Sequence, residues 1–279
     1  MKTLITSLAV IFVAVNIFAQ KTNLVTEIWK TEQKLQTPES VLYYPKDNIL
    51  FVSNIAGKPS EKDNTGFISK VNLSGDIINL KWVEGISAPK GMAVKNELLY
   101  VSNIDELVEI NIVSGKITRR YKAPGAQFLN DVAVNNEGVV FVSDMSQNKI
   151  WYLTDNKFDI WYSGKDLQSP NGLYAEKDYL LIGNSNYILK VDYKNKNSEK
   201  YIKNTGSIDG LVPIGNGAYF ISDWLSHVYL VKKGAERKLI FDSEKEGVNA
   251  ADIEYIQKEK ILLIPTFFDN RVIAYKFTY

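Results

Sequence analysis

Six copies of one pattern fill most of the 279-residue chain. Each copy is a short apolar strand, a turn, and a second apolar strand that ends on a polar residue. The copies open at Glu39, Lys90, Asn130, Asn171, Asp209 and Ala251, so their starts lie 51, 40, 41, 38 and 42 residues apart. A third strand follows, as in KIWYL (149–153), HVYLV (227–231) and RVIAYKF (271–277), and often a fourth, as in FDIWYS (158–163) and RKLIF (237–241). Four strands in roughly 40 residues is the pattern of a β-propeller blade. The chain is therefore read as all-β, a six-bladed propeller with four strands per blade.

The closure of the ring is also written in the sequence. The last repeat stops after its third strand, at Tyr279. A strand without a blade, Val25 to Lys30, stands near the start. TEIWKTEQKLQTPES (26–40) aligns without gaps on FDIWYSGKDLQSPNG (158–172), which holds a fourth strand. The N-terminal strand is thus expected to complete the last blade. The alternative, an open array of hairpins, would leave two apolar edges exposed.

Lys2 and the apolar run Leu4 to Ala19 have the length of a signal-peptide core. Residues 1–19 are read as a leader cleaved after Ala19, and 20–279 as one propeller domain. The protein is then exported, to the periplasm or outside the cell, with no membrane span after cleavage. An uncleaved anchor is the other reading of the same run.

Composition removes whole classes of chemistry. There is no Cys and one His, so disulfides, Cys-ligated zinc and most His-based triads are out. Lys+Arg 33 against Asp+Glu 32 leaves a net charge of +1 and no basic field for nucleic acid. Gly206 to Gly210 has the wrong spacing for a nucleophile elbow. Gly215-Asn216-Gly217 reads as a hairpin turn, and DNTG (63–66) lacks the rest of a calcium loop. His227 opens a third strand and is read as structural.

The first strand of each blade lines the central channel, so the six opening residues form a ring. Glu39, Asn130, Asn171 and Asp209 carry oxygen ligands of the kind a hard cation takes. This points to one divalent ion, Ca²⁺ first, with Zn²⁺, Mn²⁺ and Mg²⁺ left open. Buried carboxylates need a counterion in any case. Lys90 supplies the alternative, by reaching across the channel as an ammonium in place of a metal.

A second ring lies beside the first, at the ends of the second strands: Asn54, Asn103, Asp144, Asn184, Asp223 and Thr266. It reads as turn chemistry at most positions, with one or two members touching the site. On the same face, Met145, Trp224, Phe267 and Phe268 offer an apolar wall. A long polar insert, AGKPSEKDNTG (56–66), reads as a lid or binding loop. Asn130, Lys90, Met145, Trp224 and Phe267 are the expected substrate contacts.

The motifs Pro38-Glu39, Asn130-Asp131, Pro170-Asn171-Gly172 and Asp209-Gly210, in order at blade spacing, resemble the family of senescence marker protein (regucalcin), gluconolactonase and luciferin-regenerating enzyme. The resemblance covers about 25–279. It implies a six-bladed propeller holding one divalent metal on Glu39, Asn171 and Asp209. Asn130 would lie near both metal and substrate, and Asp209 would act as the base in lactone hydrolysis. The chain departs from the family at Phe128, where sugar-lactone hydrolases of this kind often carry Arg.

Two functions follow as expectations. The first is a metal-dependent hydrolase of a small lactone or ester, with Asp209 catalytic. The second is a non-catalytic exported propeller that binds a small molecule or protein and holds a structural metal. A weaker third is a metal-free lyase or synthase with Lys90 and Asp209 as an ion pair. A small-molecule substrate and a monomer are expected; nothing in the sequence marks a partner surface.

Overall fold

The computed structural model describes residues 24–278, and these form six four-stranded antiparallel sheets. The expected leader lies outside the described residues. Five sheets are built from four consecutive strands. The sixth takes Glu254–Ile256, Ile261–Pro265 and Val272–Phe277 from the end of the chain and Val25–Lys30 from its beginning. Val25 pairs with Phe277 and Lys30 with Ile273. The closure expected from the internal alignment is therefore present.

A second seam joins the same two ends on the channel side. The Asp252 backbone N–H donates to Glu39 O at 3.0 Å, and Ser40 Oγ donates to Asp252 Oδ2 at 2.6 Å. Neither end of the array is left open.

Each blade stands between two others, which explains the sequence of its strands. The second strands Ile49–Asn54 and Leu98–Asn103 are near-continuous apolar runs because both faces are covered. The outermost strands face water: Lys116–Lys122 reads KITRRYK and is mostly exposed. The apolar core is distributed between blades. Phe51 and Ile68 of blade one pack with Met92, Leu99 and Val108 of blade two, and the pattern repeats around the ring.

The ring residues open the first strands only in blades one to three. Glu39, Lys90 and Asn130 lie within Pro38–Tyr44, Pro89–Lys95 and Leu129–Val134. In blades four to six, Asn171, Asp209 and Ala251 precede the strands Leu173–Ala175, Leu211–Gly215 and Glu254–Ile256. Two of these entries run tight against the next blade. A Cβ on Gly172 would collide with Asp209 O, and one on Gly210 with Ile253 N. The chain enters these blades backbone against backbone, off the regular ladder. The expected hairpin turn is formed, with Asn216 at φ 55° and Gly217 at φ 68°.

Candidate functional site

That close approach sets the floor of the site. It brings Asn171 against Asp209, and Asn171 Nδ2 donates to Asp209 Oδ1 at 2.6 Å. Three side-chain oxygens at the floor are buried and have no hydrogen-bond partner: Glu39 Oε2, Asn171 Oδ1 and Asp209 Oδ2. They belong to the three residues that the family resemblance assigns to a metal. Orphaned buried oxygens on two carboxylates and an amide are a donor set for a hard divalent cation. The residues present therefore fit such an ion.

The electrostatics agree. Burial, then the charge of Asp209, raises Glu39 well above the usual carboxylate range, with Lys90 acting the other way. Burial pushes Asp209 up to about 7, and Asn171 opposes the shift. Asp131 is also pushed up to about 7, again by burial. Asp252 is raised by burial and by the charges of Asp131, Glu39 and Asp209. Four carboxylates thus crowd one channel.

The two acids below the floor differ from those above in being satisfied. Asp131 accepts the N–H groups of Val132 at 2.6 Å and Leu173 at 2.5 Å. Asp252 takes the Ser40 hydroxyl. Sequence reasoning missed this layer because it followed only the first residue of each repeat. The signal was one position later, where Asp131 and Asp252 alternate with Ser40 and three glycines.

The floor opens into a cavity of about 400 Å³ at the second-strand end of the channel. All eight residues expected at the site line it: Glu39, Lys90, Asn130, Asn171, Asp209, Met145, Trp224 and Phe267. Phe128, where the chain departs from the family pattern, and Pro59, in the insert read as a lid or binding loop, join them. Ile208, just before the ring residue Asp209, also lines it and was given no role from sequence. Phe268 does not line the cavity and is 67% exposed beside it. A second cleft of about 580 Å³, at Ile214, Tyr255 and Lys260, contains none of the ring residues.

Lys90 is buried, but it does not reach a carboxylate. Its Nζ donates to Pro59 O at 2.9 Å and Ala88 O at 3.1 Å, and lies 4.5 Å from the centre of the Phe128 ring. Burial lowers it to about 8, with Glu39 opposing. Among the described residues no ion pair involves Lys90, so the Lys90–Asp209 pair considered for a metal-free enzyme is not formed. Lys90 instead ties down the insert. Asn64 N–H donates to Ser87 Oγ at 3.1 Å, and Lys62 pairs with Asp105 at 2.6 Å. The insert is a wall pinned to blade two at three points.

The second ring does turn chemistry of one kind. Asn54 accepts from Gln36 N–H at 3.0 Å, Asn103 from Ala88 N–H at 2.9 Å, and Asn184 from Gln168 N–H at 2.7 Å. Each of these three grips the chain entering its own blade. Asp144 instead accepts from Gln147 N–H at 3.2 Å. Thr266 accepts from Arg271 N–H at 3.0 Å. Asp223 alone lines the cavity; its Oδ2 lies 2.8 Å from His227 Nδ1. His227 opens the strand His227–Lys232 and is absent from the cavity lining, as expected. With Asp242 and Glu244 it forms a cluster whose ligand atoms lie within 4.8 Å of one another, apart from the ring.

The wall is held in a costly backbone conformation. Trp224 and Phe267 have φ of 64° and 47°, where bulky residues are rare. Their rings meet edge to face, with centroids 5.2 Å apart. Such conformations cost about 1–3 kcal/mol each and persist where the surroundings impose them.

No family model matches the chain, and comparison with curated protein sequences gave no match. Solved structures do match in fold. A virginiamycin B lyase from Staphylococcus aureus, in complex with quinupristin, has a TM-score of 0.64 at 11% identity, covering 91% of this chain and 99% of that one. A streptogramin B lyase has 0.66 at 11% identity, covering 91% and 97%. A gluconolactonase from Xanthomonas campestris has 0.63 at 13% identity, covering 88% of each chain. The described residues contain no helix long and apolar enough to cross a membrane. The chain thus has the architecture of propellers that include a lyase and a gluconolactonase.

Proposed function

We propose that the protein is an exported, divalent-metal-dependent hydrolase of a small lactone or ester. The observation that carries this reading is the set of three unpartnered oxygens on Glu39, Asn171 and Asp209 at the floor of an apolar-walled cavity. These residues, with Asn130 beside them, would hold one ion, most simply Ca²⁺. When bound, such an ion supplies a Lewis acid for an ester carbonyl.

The chain's own residues do the rest. Asp209 accepts the proton of the attacking water and returns it to the alkoxide oxygen that leaves when the ester C–O bond breaks. Before an ion binds, burial raises its carboxyl above the usual carboxylate range, which makes it a better proton acceptor. Asn171 fixes the carboxylate by its hydrogen bond to Oδ1, which leaves Oδ2 without a partner. Lys90 and Phe128 hold the insert over one side, and Trp224 and Phe267 exclude water on the other.

The test is a panel of lactones and aryl esters, run with Ca²⁺ and with chelator. Metal-dependent turnover that is lost in Asp209→Asn supports the reading. Metal binding without turnover of any ester would favour the binding propeller instead.

A further inference from the structure

Most of the polar groups that face the cavity above its floor are already engaged. Asn130 Nδ2 is turned towards Met145 Sδ at 3.9 Å. Asp223 is taken up by His227 Nδ1 and by the backbone N–H groups of Ser226 and His227. Lys90 has three donors, and two are spent on the carbonyls of Pro59 and Ala88. Ser207 adds one hydroxyl. Facing these are the carbon surfaces of Phe128, Ile208, Trp224 and Phe267.

A polyhydroxylated ring buried here would leave most of its hydroxyls without partners, which is unfavourable for each one. An alkyl or aryl group loses nothing by entering. The apolar surface also continues outwards. Leu225 lines the cavity and is 63% exposed, and Phe268, in edge contact with Phe267 at 4.8 Å, is 67% exposed.

We infer that the site selects lactones or esters carrying an uncharged alkyl or aryl group over polyhydroxylated lactones, with Phe128 as a specificity-determining residue. This rests on the hydrolase reading above and names its substrate class. Phe128 acts in two ways. Its ring forms part of the wall, and its face lies against the Lys90 ammonium. That contact keeps the ammonium turned to the carbonyls and leaves carbon towards the substrate.

The experiment uses the purified protein with Ca²⁺ and γ-lactones whose side chain grows from hydrogen to hexyl, beside gluconolactone. The expected result is a rise in kcat/KM of about fourfold per methylene until the wall is reached. Gluconolactone should fall at least tenfold below the hexyl compound. Equal or better turnover of gluconolactone overturns the inference while leaving hydrolysis standing.

Binding is measured in parallel, because failure to turn over any lactone would count against hydrolysis and not against the preference. Calorimetry on the Ca²⁺-loaded protein compares octanoate with gluconate. At least tenfold tighter octanoate is expected. Tighter gluconate, or binding of neither, overturns the preference. Phe128→Arg should reduce the alkyl preference about tenfold without changing Ca²⁺ stoichiometry. An unchanged preference removes Phe128 from this role.

Discussion

Asn171 Nδ2 donates to Asp209 Oδ1 at 2.6 Å, and Asn171 Oδ1 and Asp209 Oδ2 are left buried without a partner. One contact between neighbouring blades thus orients two candidate ligands at once. Asn171→Ala should remove a ligand and release the Asp209 carboxylate. Losing an orienting partner of this kind typically costs 10–100-fold in metal affinity, and losing a ligand as well should place the variant at or beyond that range. Calcium titration by calorimetry checks this, with circular dichroism showing that the propeller is intact. Affinity within threefold of wild type would contradict the assignment.

Much of this geometry was legible in the sequence, and the reason is the repeat. A propeller places equivalent residues on one ring, so aligning the repeats also aligned the candidate ligands Glu39, Asn130, Asn171 and Asp209. The gapless match of residues 26–40 to 158–172 likewise gave the closure. What escaped depends on side-chain direction. Nothing in the alignment says that Lys90 turns to Pro59 O and not to a carboxylate, since that is set by the insert folding over blade two. Asp131 and Asp252 escaped because their partners are backbone N–H and hydroxyl groups of neighbouring blades. Solved structures of the same architecture support the fold.

Crowded acids give a pH dependence of definite sign. Glu39, Asp131, Asp209 and Asp252 are all raised by burial. A raised carboxyl binds more protons folded than unfolded between its two pKa values, so stability falls as pH rises through that window. For Asp131 and Asp209 the window runs from their ordinary value of 3.8 to about 7. The metal-free protein should therefore melt at a lower temperature at pH 7.5 than at pH 5. Ca²⁺ should raise the melting temperature more at pH 7.5, where the carboxylates are charged. Calorimetric scans at both pH values, with and without Ca²⁺, decide it; a metal-free protein more stable at pH 7.5 than at pH 5 would contradict the account.

Lys90→Met keeps most of the apolar stem of the side chain and removes the tether to Pro59. Hydrogen exchange of residues 57–65 should become at least tenfold faster, while the blades stay protected. Ca²⁺ should bind a few-fold tighter, because a positive charge near Glu39 is gone. Ca²⁺ binding that appears only in the variant would show Lys90 to be the counterion in the wild type.

Ring closure rests on the strand Val25–Lys30 against Val272–Phe277. A chain that begins at residue 34 lacks that strand and exposes apolar surface of blade six, including Phe277 and Ile273, both buried in the full chain. It should lose several kcal/mol, on the order of two or three fully buried side chains. Urea unfolding followed by tryptophan fluorescence measures this. A midpoint unchanged from the full chain would mean that the seam at Ser40 and Asp252 closes the ring alone.

The central claim is that the oxygens of Glu39, Asn171 and Asp209 hold a divalent ion. Metal content of the purified protein, measured by mass spectrometry after mild dialysis, tests it most directly, with Asp209→Asn treated in the same way. One calcium-like ion per chain, lost in the variant, is the predicted result. A metal-free wild type that stays metal-free after Ca²⁺ is added back would contradict the account.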